Sequence, residues 1–127
     1  MAYPTVTEIG AVNDIFAHSG NKSIPADGYV IAASITGVIT RGLPLKQGAT
    51  QRELTPVAAT TDLVVAVAAA TIDLAVTKAM PAYEQGEFDR VQIQKAITAR
   101  AIEVTTDDLA IKARSQGIFF RDVVKPV

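Results

Sequence analysis

The sequence predicts a mainly β chain of α+β type: a small barrel- or sandwich-like core, one short helix in the C-terminal half, and a flexible N-terminal arm. Three observations carry this expectation. Leu63-Val64-Val65-Ala66-Val67-Ala68-Ala69-Ala70 is a short, valine-rich apolar run that suits a strand buried on both faces, although its periodicity alone also admits a helix. Ile72-Asp73-Leu74-Ala75-Val76-Thr77 alternates, placing Ile72, Leu74 and Val76 on one face of a strand. Thr105-Thr106-Asp107-Asp108 offers an N-cap and two acids at the start of a helical stretch, where they favour the positive end of its dipole.

In chain order, residues 1–19 form the arm and 20–127 a single β-rich domain. Within the arm, Ile9, Val12, Ile15 and Phe16 have the spacing of a short amphipathic helix, and Thr5 and Glu8 sit at capping-box spacing. Tyr3-Pro4 begins extended, and Gly10 costs about 1 kcal/mol within a helix. Helix and extended arm both stand at this point. Gly20-Asn21-Lys22-Ser23 and Pro25-Ala26-Asp27-Gly28 are turn clusters. Tyr29–Ala33 and Gly37–Thr40 read as strands. Gly42, Pro44 and Gly48 punctuate a loop carrying Leu43 and Leu45, and Gln51–Thr61 reads as an exposed connection with an extended piece around Val57. Gly86 takes positive φ without a Cβ penalty, so the segments around it read as a hairpin with Glu84 and Glu87 at a solvated tip. Val91, Ile93, Ile97 and Ala99 follow a strand period, while Phe88, Val91, Lys95 and Ile102 allow a helix. Leu109–Gln116 continues the capped helix, with Gly117 past its end. Ile118-Phe119-Phe120 and Val123-Val124 make a last strand before Pro126.

Composition narrows the function classes. At 127 residues the chain is one domain, long enough to bury roughly two-thirds of its unfolded surface. Hydrophobic residues make up 49% but aromatics only 6%, so small side chains supply the core and oligomerisation would add the buried area they lack. A net charge of −1 exerts no long-range pull on nucleic acid or anionic membranes. The absence of cysteine excludes a disulfide framework and a thiolate metal site. The residues after Met1 show no basic and apolar leader pattern, and Asp73 interrupts the longest apolar run. A soluble protein made in the cytoplasm is expected.

The chain offers little to catalysis. His18, its one histidine, stands in a turn-like region without an orienting carboxylate nearby in sequence. Asp107 and Asp108 point about 100° apart on a helix and act as capping acids rather than as a proton-sharing pair. Gly42-Leu43-Pro44-Leu45-Lys46-Gln47-Gly48 has the wrong spacing for a phosphate loop, its lysine precedes the second glycine, and Pro44 removes an amide donor. Asn21-Lys22-Ser23 matches a glycosylation acceptor, yet without a leader it would not meet that machinery. No enzyme, no cofactor and no metal is the expectation.

The order of segments carries a resemblance. Arg41-Gly42-Leu43-Pro44-Leu45 precedes the Leu63–Ala69 run, then come Tyr83-Glu84-Gln85-Gly86-Glu87-Phe88, the capped helix, and Gln116-Gly117-Ile118-Phe119-Phe120. Over about Gly28 to Val124 this resembles the head-decoration (capsid-cement) proteins of tailed bacteriophages, the lambda-type D-protein family. Two departures stand out: Asp62-Leu63 replaces the glycine that often opens the apolar strand, and Val91–Val104 looks longer than in compact members. The resemblance implies a non-catalytic homotrimer on the outer surface of the virion capsid, bound to the major capsid protein and to neither nucleic acid nor membrane. It implies a capsid-binding arm with Tyr3, Pro4, Val6, Ile9, Val12 and Ile15, mobile in the free protein and added as a strand to the capsid. Trimer or capsid contacts are expected at Leu43, Leu45, Glu84, Ile118, Phe119 and Phe120. The competing expectation is a generic small β-rich module that binds a peptide or ligand within a larger complex; an enzyme with an unseen site is a third.

Overall fold

Eight consecutive extended residues form the strand on which the other elements assemble. The computed structural model describes residues 15–17 and 24–123. Their elements run β1 (Ile24–Ala26), β2 (Val30–Ile31), β3 (Val38–Ile39), β4 (Pro44–Gln47), β5 (Glu53–Pro56), β6 (Ala66–Ala68), β7 (Ile72–Asp73), β8 (Ala82–Asp89), α1 (Arg90–Ala99), α2 (Thr106–Arg114) and β9 (Ile118–Arg121). The fold is mainly β, as the sequence predicts. Seven strands form one sheet along the path β1-β8-β6-β4-β5-β2, with β9 also on β8, while β3 and β7 make a two-stranded ribbon. The path has two ends, so the sheet is open rather than a closed barrel.

β8 is paired along its whole length. Tyr83 and Ala82 face Pro25 and Ala26 of β1 on one side and Val67 and Ala68 of β6 on the other. Gly86–Asp89 then run parallel to Ile118–Arg121 of β9. The expected hairpin is therefore absent. Gly86 has φ 154°, is buried, and donates its N–H to the Gly117 carbonyl at 3.0 Å. Permissiveness at a glycine allows a turn without requiring one, and here strand partners on both halves hold the chain extended.

The apolar run supplies β6, whose Ala66, Val67 and Ala68 are all buried. Its neighbour β4 overturns the reading of Gly42–Gly48 as a loop: Pro44–Gln47 lies between β5 and β6, and Leu43 and Leu45 are fully buried. Likewise β5 and Val57 bring part of Gln51–Thr61 into the core. The alternation at Ile72–Thr77 yields only Ile72–Asp73 as strand. Asp73 then closes a turn, its carboxylate accepting from Ala75 N–H at 2.9 Å and its carbonyl from Val76 N–H at 2.9 Å. Val76 consequently points to solvent, away from the face shared with Ile72 and Leu74.

Two helices follow β8. α1 occupies the segment whose periodicity fitted strand and helix alike, and Ile93, Ala96 and Ile97 form its buried side. Asp89 caps it by accepting from Val91 N–H at 3.0 Å. α2 is the helix foreseen from Thr105, which forms a reciprocal capping box with Asp108. Leu109 and Ala113 face inward, and Gly117, at φ 78°, turns the chain into β9. The largest buried side chains, Phe88, Met80, Ile93, Ile97, Leu109 and Ile118, come mostly from outside the alanine-valine run. Larger residues drawn from many elements thus supplement the small ones.

Cationic side chains fasten the connections. Arg41 Nε donates to the Ala69 carbonyl at 3.0 Å, and Lys112 Nζ to that of Thr61 at 2.7 Å. Arg100 reaches the Thr36 and Val38 carbonyls at 2.8 and 3.1 Å, binding the β3 end of the ribbon to the end of α1. Charged donors make stronger bonds to carbonyls than neutral ones, so loops without ladder partners still satisfy their backbone.

Candidate functional site

The expected contact residues separate into three groups. Tyr3, Pro4, Val6, Ile9 and Val12 lie outside the described residues, as do His18 and Asn21. Leu43, Leu45 and Ile118 are fully buried within the chain itself and offer nothing to a partner. They are corrected to core residues: β4 is an interior strand, and Ile118 lies opposite Gly86 in the β8–β9 ladder. Glu84, Phe119 and Phe120 keep partial exposure.

Ile15 belongs to the body of the protein. It is 5% exposed, and Ile15–Ala17 lies along the β8 edge as a strap, with Phe16 bridging antiparallel to Phe88. Ala17 N–H donates to Glu87 O at 3.0 Å, and Asp89 N–H donates to Ile15 O at 2.6 Å. Phe16 packs edge-on to Tyr83, with ring centres 5.2 Å apart, and stacks on Phe88 at 5.7 Å. The Arg41 guanidinium lies 5.6 Å from the Phe16 ring centre. Gly42, at φ 98°, makes room for Ile15, since a Cβ there would fall 2.8 Å from Ile15 Cγ2. Magnitudes keep this closure modest. Burying Ile15 contributes roughly 1.5–3 kcal/mol and each of the two backbone bonds about 0.5–1.5 kcal/mol. Ordering the strap costs about 1–2 kcal/mol per residue. The remainder is small beside the roughly 5–15 kcal/mol that holds an ordinary domain together.

Next to the strap, Asp89 is buried at 1% exposure, with one carboxylate oxygen capping α1 and Oδ2 without a hydrogen-bond partner among the described residues. On the other half of β8, Glu84 accepts a 2.5 Å hydrogen bond from the Tyr29 hydroxyl. That bond, with partial burial and the carboxylate's charge, raises the Tyr29 pKa, while Arg52 over its ring opposes the rise. Glu84 thus ties the lead-in of β2 to β8 rather than standing at a loop tip.

The second feature is an open cleft of about 210 Å³ between α2 and β9, lined by Ala110, Arg114, Phe119, Phe120 and Arg121. Arg121 stacks on Phe119 at 4.9 Å and pairs with Glu87 at 3.1 Å. Ile111, which follows Ala110 of the cleft lining, is 74% exposed. Sequence reasoning passed over Ile111, yet its signal is readable: it stands out of phase with the inward Thr106, Leu109 and Ala113. Val76, at 82%, and Val38, at 47%, are exposed on the ribbon and its turn. Among the described residues no cluster of three His, Cys, Asp or Glu side chains is placed to hold a metal ion, and no helix is long and apolar enough to cross a membrane.

Comparison with family models and with curated proteins finds no match to this chain.

Proposed function

We propose that this chain is a head-decoration protein of the tailed-bacteriophage, lambda-type D kind. In this reading it sits as a homotrimer on the outside of an assembled capsid, bridges neighbouring copies of the major capsid protein, and stiffens the shell without catalysis. The observation that carries the reading is that the segments behind the resemblance also meet in space. Gly42 N–H donates to the Ala68 carbonyl at 2.9 Å, joining the Arg-Gly segment to the alanine-valine strand. Gly86 N–H reaches Gly117 O, and Phe88 lies opposite Phe120, joining the Gly-Glu-Phe segment to the Gly-Ile-Phe-Phe segment. Four motifs, each common by itself, thus belong to one packed unit.

The burial of Ile15 moves the proposed capsid-binding arm upstream, to Tyr3, Pro4, Val6, Ile9 and Val12. Each arm would add a strand to the capsid, and three on one trimer would raise affinity through effective concentration. Phe119, Phe120 and Ile111, with the exposed valines of the ribbon, are the surface from which trimer or capsid contacts would be drawn. The cleft between α2 and β9 favours the second reading, a β-rich binding module of a larger complex.

Co-sedimentation with expanded phage heads, with light scattering of the free and bound protein, separates the two. The proposal expects saturable binding and a trimer, in solution or on the shell. A strict monomer under both conditions, or no binding to heads, would count against it. Tight binding to DNA at physiological salt would also contradict it.

A further inference from the structure

On α2, Asp107, Ala110, Ile111 and Arg114 stand at i, i+3, i+4 and i+7, so they form one stripe beside the inward Thr106, Leu109 and Ala113. Ala110 is half-buried in the cleft, and the exposed Arg114 lines it together with Phe119, Phe120 and Arg121 of β9. Ile111 projects beside them at 74% exposure. The other cations nearby are engaged: Lys112 on the Thr61 carbonyl and Arg121 on Glu87. Neither Asp107 nor Arg114 takes part in an ion pair among the described residues. Arg90, whose field reaches Asp107, is bonded to Asp122 at 2.6 Å. At about 210 Å³ the cleft falls below the roughly 300–1,000 Å³ of small-molecule pockets, yet it has room for one aliphatic side chain.

We propose that this stripe is a self-complementary docking surface, on which a second copy of the chain lays its own α2 antiparallel about a two-fold axis. The axis passes between Ala110 and Ile111. Ile111 of each copy then seats against Ala110 in the cleft of the other, and Asp107 of each meets Arg114 of the other. One register satisfies all four positions, because Asp107 to Ile111 and Ala110 to Arg114 are the same four-residue step, a rise of about 6 Å. Charge selects the occupant: the cleft offers one unengaged guanidinium, and the same stripe carries the carboxylate that answers it. The symmetry makes every contact twice. A single helix stripe stays below the roughly 1,200 Å² of total buried surface at which stable interfaces begin, so the pairing belongs to crowded copies rather than to dilute solution. It goes beyond the capsid reading and does not rest on it; a trimer, where one forms, carries this contact between units rather than within one.

Sedimentation of the full-length protein at concentrations up to about 1 mM, the range of a weak contact, reads the pairing. The wild type should self-associate, and high salt should weaken the association because exposed charges are screened. Ile111→Asp should weaken it by about tenfold or more and keep a cooperative melt, since that side chain is exposed in the free chain. Asp107→Arg and Arg114→Asp should each weaken association alone, by setting like charges opposite each other. An equimolar mixture of the two should restore it, because every cross pair is again of opposite sign. Should Asp107→Arg not fold, with a cation in the first turn of the helix, Asp107→Asn takes its place, and its mixture with Arg114→Asp should still associate better than either variant alone. A wild type that shows no association at any of these concentrations overturns the proposal, as does association that Ile111→Asp leaves intact. Mixtures no better than the single variants overturn the antiparallel register. Loss of a trimer itself in Ile111→Asp, rather than of association between units, overturns the two-fold assignment.

Discussion

At the residue level, two acids act as fasteners in ways that pH can reveal. The Tyr29 pKa is raised above its ordinary value of about 10, chiefly by the bond to Glu84. The neutral hydroxyl is the form the fold prefers, so its contribution is full below that ordinary value and is lost as pH rises through the raised one. Tyr29→Phe should therefore cost about 1 kcal/mol at neutral pH, and its melting temperature should approach that of the wild type in alkaline buffer. Asp62 behaves with the opposite sign. Burial pushes its pKa up, but Ala58 and Ala59 N–H at 2.7 and 2.8 Å and Lys46 Nζ at 3.2 Å hold it below the usual carboxylate value. Its contribution is present above about pH 4 and is lost as pH falls through the depressed value. Asp62→Ala should cost about 1–2 kcal/mol at pH 7, with the gap to wild type narrowing in acid-titrated thermal melts.

Among the elements, α1 has the clearest flaw open to repair. Ala101, exposed just beyond its end, adopts φ 59°, a left-handed conformation that a Cβ disfavours. Ala101→Gly should stabilise the protein by roughly 0.5–1 kcal/mol in chemical denaturation; an unchanged midpoint would show that the helix end relaxes freely. The same helix shows the limit of reading sequence. The Thr105 cap and the Gly117 stop are local chemistry, and the structure places α2 where they put it. Val91–Ala99 has no comparable signal, because Asp89 caps it from within a strand and Ile93, Ala96 and Ile97 are inward only by virtue of the sheet beneath. Within the Ala-Val run only Ala66–Ala68 became a buried strand, for reasons visible in its composition, while Leu63 stays partly exposed. Gly42–Gly48 did not look like one, since its glycines and proline promise a loop while its placement between β5 and β6 is a long-range fact. Of the expected contact residues, Leu43, Leu45 and Ile118 were misjudged on this ground: an apolar residue in sequence does not reveal whether its own chain or a neighbour will cover it. Phe119 and Phe120 kept the partial exposure that such a role requires.

For the molecule as a whole, the strap changes what the N-terminal residues are worth to stability. The arm reading expects that removing Met1–Ala17 leaves the body nearly unchanged. The buried Ile15 and the Phe16 ring cluster predict otherwise. A cut extended from Asp14 through Ala17 should melt several degrees below a cut that stops at Asp14, an effect of about 1–3 kcal/mol. Equal melting temperatures for the two truncations would show that the strap adds nothing to the body. One further consequence follows from the position of β8. Its first half is laddered to strands that precede it in the chain, but its second half must wait for β9, which follows only after both helices. Parallel pairing across such a crossover closes a long loop before any contact rewards it, and this slows folding. During synthesis, therefore, Gly86–Asp89 would emerge as an unfinished edge, sheltered on one side, among the described residues, by Ile15–Ala17 until the last strand arrives.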